Sequence, residues 1–323
     1  SENVLKATNA FELLIDNRDD LAGLPDGAIE AAAMTAKEKK HEGKWLFTLH
    51  APSLIPLLQY SEKRELRQKL WTAYNSRAFG DAFDNQNVIL KLIELRHRRA
   101  QTLGYASHAA FVLEERMAQS PTQVTHFLEK LLTPSKKAAE NEMAELVAFQ
   151  KQMEKDTVLE NIQVMPWDFS YYSEKLKESK YNFNDEELRP YFQLEKVVDG
   201  VFEHARKLYD LEFHEIHDIA KYHVDVRTFE VRDQNTKEYI GLFYTDFFPR
   251  ETKKGGAWMT VYREQGYFRG QVRRPHISIV CNFTKPTESK PSLLNYDEVE
   301  TLFHEFGHAL HGLLSSVTYR SLA

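Results

Sequence analysis

The chain has 323 residues, 42% of them hydrophobic and 28% charged, with a formal net charge of −6. That composition can bury a large helical core or two joined lobes, and its acidic balance makes nucleic acid a poor partner. No apolar run approaches the ~18 residues needed to cross a bilayer, so no membrane partner is expected.

Residues 1–10 have neither the basic nor the apolar region of a signal peptide. Cys281, the only cysteine, cannot form an internal disulfide and suits a reducing, cytoplasmic setting. From Asn3 to Leu14, Val4, Leu5, Ala7, Phe11 and Leu14 fall at near-helical spacing, so the chain opens inside a predicted helix. It lacks an initiating methionine, and both ends look cut; the expectation is an excerpt of a longer polypeptide. Leu54 to Ala78 predicts one surface helix packing a stripe of Leu57, Leu58, Leu66, Leu70 and Trp71. Asn85 to Leu103 repeats that pattern through Val88, Leu90, Leu92, Ile93 and Leu95, with Gly104 placed to end it.

Ser120-Pro121-Thr122-Gln123 reads as a capping box with proline at the first helical position. The helix it opens runs through Phe127, Leu131 and Leu132, is expected to break at Pro134, and resumes as a charged stretch from Lys136 to Lys155. Trp167 and Phe169 to Tyr172 read as core or lobe packing. A further helix from Leu194 to Leu208 turns Val197, Val198, Val201 and Phe202 inward. After residue 220 the texture changes. Tyr222 to Arg232 and Glu238 to Phe248 are rich in β-branched and aromatic residues, joined by a predicted turn at Asp233-Gln234-Asn235-Thr236. Ala257 to Tyr262 and His276 to Phe283 are two more predicted strands. The fold class is therefore mainly α: a helical region over residues 1–220, forming parts of two lobes, then residues 221–323 with a small antiparallel sheet beside a last helix.

That last helix carries His304-Glu305-Phe306-Gly307-His308. Histidines four residues apart put both imidazoles on one helix face, within reach of one zinc ion, and Glu305 sits beside them to take a proton from water at the metal. Asn295-Tyr296-Asp297-Glu298 predicts its capping box. At about 100° per residue, Val299, Phe303, Phe306, Leu310 and Leu313 fall on one side and His304, His308 and His311 on the other. Gly307 costs roughly 1 kcal/mol in a helix interior, which suggests close approach by a backbone or a substrate. His311 lies about 10 Å along the axis from His304, too far to share an ion bound at ~2 Å. A catalytic zinc has three protein ligands, so a third must come from another segment. The alternative is a helical binding module whose histidine face is solvated surface.

Weaker signals accompany the helix. Asp246 and Arg250 suggest a structural ion pair at a strand end. Gly256-Ala257-Trp258-Met259 is either an exposed edge strand that binds an extended peptide or a strand that completes the sheet. Cys281, in an apolar strand, is expected to be inert.

With these residues in view, the sequence resembles the thimet oligopeptidase family of zinc peptidases. The resemblance rests on the run from Phe303 to Leu313, preceded by Asp297-Glu298-Val299, and on Cys281-Asn282-Phe283, Gly256 to Met259, Phe243 to Arg250, Pro166-Trp167-Asp168 and Arg116-Met117-Ala118. Gly312-Leu313 and Tyr319 to Ala323 favour its dipeptidyl branch. The resemblance implies a helical, zincin-like body and zinc held by His304 and His308, with Glu305 as general base and later proton donor. It also implies a third ligand, a glutamate about twenty-five residues beyond His308, near position 333 and past Ala323. The implied activity is release of C-terminal dipeptides from short peptides, with internal cleavage as the alternative. This chain alone would be incomplete and inactive. Nothing in the sequence sets an oligomeric state; a monomer is the expectation.

Overall fold

The computed structural model describes residues 1–154 and 163–323. Lys155, the end of the expected charged stretch, lies outside the described residues. The first elements are α1 (Glu2–Ala10), β1 (Leu13–Ile15), α2 (Asp26–Glu38), β2 (Trp45–Phe47), α3 (Ala51–Tyr60), α4 (Arg64–Asn75) and α5 (Gln86–Thr102). Then come α6 (His108–Leu113), α7 (Pro121–Met153), α8 (Phe169–Tyr181), α9 (Leu194–Tyr209), β3 (Leu211–Ile216), β4 (Arg227–Asp233) and β5 (Tyr239–Asp246). The chain continues through β6 (Trp258–Arg263), β7 (Gly266–Phe268), β8 (Gln271–Arg273), β9 (His276–Val280) and α10 (Tyr296–Leu314). The protein is mainly α, as the sequence indicates. Among the described residues no helix is long and apolar enough to cross a membrane.

Two compact units emerge: Ser1–Phe11 with Leu57–Tyr181, and Glu12–Pro56 with Asn182–Ala323. The change of texture at residue 220 falls inside the second.

The first unit is helical. The single helix expected from Leu54 to Ala78 is two, α3 and α4, because the chain turns at residues 61–63. The Ser61 hydroxyl accepts from the Lys63 amide at 3.3 Å, and the Ser61 carbonyl accepts from Arg67 at 2.7 Å. Those side-chain bonds replace the helical ones lost at the turn. Conversely, α7 does not break at Pro134 but runs through it. Strong helix formers on both sides outweigh one missing donor. Ser120 caps it, accepting from the Gln123 amide at 3.3 Å. Gly104, at φ +83, follows the end of α5. The apolar stripe of α5 is not packed as expected: Val88, Leu90, Leu92, Ile93 and Leu95 are all exposed. This unit also buries a polar cluster. Fully buried Asp168 accepts from Arg64 Nη2 at 2.7 Å, Arg67 Nη2 at 2.9 Å and the Met165 amide at 3.1 Å. Arg67 also lies 4.1 Å over the Tyr171 ring.

The second unit packs helices on a five-stranded sheet in the order β3-β4-β5-β9-β6. Asp233 makes the β4–β5 turn, its Oδ1 accepting from the amides of Asn235 and Thr236 at 2.9 and 2.7 Å. The sheet is mixed rather than antiparallel, because β5 and β9 pair in parallel. β6 and β9 form an antiparallel pair, and the β7–β8 hairpin between them in the chain is a separate two-stranded sheet. β9 is the more buried of the two, with Ile277, Ile279 and Val280 all inside, so it takes the interior position and leaves β6 at the edge. β3 begins directly after α9, where Asp210 turns the chain at φ +53.

One face of this sheet holds the core. Val197, Val198, Val201 and Ala205 of α9 meet Phe229, Phe243, Ile277 and Ile279 of the strands and Leu302, Phe306, Ala309 and Leu313 of α10. Phe202 and Phe213 stack with centroids 4.2 Å apart, and Phe306 meets Phe243 edge-on at 5.6 Å.

Candidate metal and peptide site

The site begins with how α10 is started and seated. Asn295 and Glu298 form the predicted capping box: Asn295 Oδ1 accepts from the Glu298 amide at 2.8 Å, and Glu298 Oε2 from the Asn295 amide at 2.9 Å. Glu298 also accepts from the Thr284 amide at 2.7 Å. Burial nevertheless holds its carboxyl above the usual range.

The buried stripe of α10 is Leu302, Glu305, Phe306, Ala309 and Leu313, with Val299 and Leu310 half-buried beside it. Phe303, expected inside, is 40% exposed and meets the His204 ring edge-on at 5.5 Å. The helix is thus turned slightly from the sequence expectation, moving Phe303 outward and Glu305 inward. Gly312 supplies the reason. A Cβ there would lie 2.7 Å from Ile277 Cδ1, so α10 presses onto β9 at this point. At Gly307 nothing lies within 4 Å of where a Cβ would be, so no described backbone makes the close approach its presence suggested.

His304 and His308 are on the exposed side with their Nε2 atoms 3.3 Å apart. Two donors bound tetrahedrally at ~2.0–2.1 Å to one zinc would be separated by about the same distance. The pair therefore fits a single metal ion. Glu305, 7% exposed, accepts no hydrogen bond among the described residues, leaving its oxygens free for a proton. His311, one turn further on, is exposed. No group of three or more metal-binding side chains converges among the described residues.

β6 lies beside this face. Among the described residues its one sheet neighbour is β9, with Trp258 opposite Val280 and Met259 opposite Ile279. A pocket of about 250 Å³ is lined by Met259 and Val261 of β6, by Ile277 of β9 and by His308, His311 and Gly312 of α10. Gly256, at φ +93, and Ala257 lead into the strand.

Two features escaped the sequence. Lys253, which no motif singles out, is buried, and its ammonium makes hydrogen bonds to three backbone carbonyls. Asn282, quoted for the resemblance alone, bonds to the backbone before β6. The Asp246–Arg250 pair is present, with both guanidinium contacts at 2.8 Å. Burial works against the Asp246 carboxylate, but Arg250 and Lys253 hold it below the usual range. Cys281 is fully buried, and burial pushes its thiol far above the ordinary range, with the nearby Glu305 adding to the effect.

The architecture is that of a mainly helical protein with a small mixed sheet and an H-E-x-x-H helix laid across it. Residues 57–323 match the model of peptidase family M3, and the chain belongs to that family. It is 40% identical to oligopeptidase A of Escherichia coli (strain K12) over 98% of this chain and 46% of that protein. The dipeptidyl carboxypeptidase of the same organism is 36% identical, over 100% of this chain and 46% of its own length. A thimet-like oligopeptidase of Dictyostelium discoideum is 30% identical over 93% and 45%. The chain spans about half the length of the curated relatives it matches.

Proposed function

We propose that this chain carries the histidine half of the active site of a zinc metallopeptidase that hydrolyses short peptides. The observation that carries this reading is the convergence of His304 and His308 Nε2 at 3.3 Å on the helix that also carries Glu305. His304 and His308 would hold the zinc, with a third ligand contributed by residues outside this chain. When bound, the metal supplies Lewis-acid polarisation of the scissile carbonyl and of the attacking water.

This chain's own residues take two parts in the reaction. Glu305 takes the proton of the attacking water and passes it to the nitrogen of the departing amine, so that one carboxylate serves as base and then acid. The outer edge of β6, from Gly256 to Met259 onward, pairs with the main chain of an extended peptide. The pocket below that edge, between Met259, Val261 and the histidine face, receives a side chain of it.

Recognition by main-chain pairing requires no free terminus, and it supports cleavage within oligopeptides, in keeping with the name of the 40% identical relative. Release of C-terminal dipeptides is the second reading, favoured by the 36% identical dipeptidyl carboxypeptidase. Mass spectrometry of products from matched free-acid and C-amidated peptides separates the two, since dipeptide release alone depends on the free terminus.

The test of the chemistry is Glu305→Gln in the full-length enzyme, with zinc content measured alongside. A loss of kcat of at least about a hundredfold with zinc retained is expected for a general base. Undiminished turnover with zinc bound would remove Glu305 from the role.

A further inference from the structure

Lys253 is an anomaly for a surface loop. Its side chain is 2% exposed, and its ammonium donates to the carbonyls of Asp246 at 3.0 Å, Phe248 at 2.6 Å and Cys281 at 2.8 Å. The Asp246 carboxylate lies 2.8 Å away and is shared with Arg250. Tyr222 also donates to it, at 3.0 Å. Two cations thus surround one buried carboxylate, and the carbonyl dipoles take up the excess positive charge. Those oxygens come from the end of β5, the loop after it and the residue following β9. The ammonium therefore ties three pieces of backbone at one point.

A second tie follows within three residues. Asn282 Nδ2 donates to the carbonyls of Lys254 at 2.9 Å and Gly256 at 2.7 Å. Gly256 sits at φ +93, a conformation that side-chain-bearing residues avoid. Trp258 then enters the sheet opposite Val280. The loop is thus held at residues 253, 254 and 256 against the end of β9, immediately before the edge strand begins. Edge strands with unpaired main chain are ordinarily kept short, twisted or charged. This one is fixed at its entry.

We propose that Lys253 and Asn282 are positioning residues for substrate. They hold the turn at Gly256 and so the entry into β6, whose free edge from Trp258 onward pairs with a peptide main chain. Both act through backbone carbonyls and leave the chemistry to α10. The proposal rests on the peptidase reading above and adds to it which side chains pre-order the peptide-binding edge. Pre-ordering removes part of the entropy that binding must otherwise overcome, so its loss weakens substrate binding more than turnover.

The experiment uses the full-length enzyme and an oligopeptide long enough to pair along β6. Asn282→Ala is expected to raise KM about tenfold with kcat within about twofold, the signature of lost uniform binding. Zinc content should stay the same. Amide exchange at residues 256–259 should quicken while that of α10 is unchanged. Lys253→Met should act in the same direction and more strongly; if it does not fold, Asn282→Ala decides alone. Unaltered KM and exchange in Asn282→Ala would overturn the proposal, as would a fall in kcat at constant KM. Glu305→Gln measured beside it separates the two ideas. If Glu305→Gln retains turnover with zinc bound, the role of Glu305 fails; if the unsubstituted enzyme cleaves no peptide, the peptidase reading fails. If Glu305→Gln is dead and Asn282→Ala binds normally, the clamp alone fails.

Discussion

The seating of α10 on β9 can be tested at one atom. A Cβ added at Gly312 would stand 2.7 Å from Cδ1 and 3.4 Å from Cγ1 of Ile277, a side chain with no solvent exposure. The first distance is a collision and the second an ordinary contact. Alanine should favour a helix interior over glycine by about 1 kcal/mol, but overpacking a closed core costs about 1–3 kcal/mol. Gly312→Ala is therefore expected to be net destabilising by about 1 kcal/mol. Gly307→Ala, with open space at the same atom, should instead gain about 1 kcal/mol. Ile277→Val deletes Cδ1 and keeps Cγ1, at a cost of about 0.5–1.5 kcal/mol by itself. In the Ile277→Val background Gly312→Ala should cease to destabilise, a coupling of about 1–3 kcal/mol. Urea unfolding followed by circular dichroism on the four proteins of the cycle measures it. Additivity of Gly312→Ala and Ile277→Val would refute the argument that this contact sets how close the helix lies to the sheet.

Other consequences concern the buried charges. Asp168→Asn strips the counter-charge from Arg67, whose side chain is 2% exposed. It should cost about 3–5 kcal/mol, seen as a fall in the unfolding midpoint; a change below 1 kcal/mol would show that the cluster is not a buried pair. Glu298 has its folded pKa raised by burial above the ordinary 4.5. The folded state then binds more protons than the unfolded one, so Glu298's contribution is fully present below pH 4.5 and is lost as pH rises through the folded value. Glu298→Gln keeps the capping geometry and should flatten that slope in unfolding experiments between pH 4 and 7; an unchanged slope would assign it to other groups.

What the sequence revealed, and what it withheld, follows the range of the interactions. The start of α10 was legible because the capping box of Asn295 and Glu298 is closed within four residues. The spacing of His304 and His308 is equally local, and the structure brings their nitrogens together. The rotation of the helix was not legible. It depends on Gly312 meeting Ile277, and that contact moves Phe303 to the surface and Glu305 toward the core. The β6 and β9 segments were recognised by composition, yet their order was not. Placing β9 between β5 and β6 depends on which strand is buried on both faces. Lys253 had no recognisable local signal, since its three carbonyl partners lie 5, 7 and 28 residues away along the chain and meet only in the folded sheet.

These long-range features share one strand. Ile277 of β9 sits under Gly312, which fixes the height of the histidine helix, while Val280 and Ile279 pair with Trp258 and Met259. Just past the strand, the Cys281 carbonyl receives Lys253 and the Asn282 amide group holds Gly256. The histidine face and the β6 edge are therefore not positioned independently; each is measured from β9. A reaction in which a carbonyl on a β6-bound peptide must come within bonding distance of groups on α10 needs such a shared reference, because proximity tolerates errors of only about 1 Å before rates fall steeply. β9 contributes no side chain to the proposed chemistry, yet changes in its packing should shift substrate binding and catalysis together, whereas changes at Asn282 should affect binding alone.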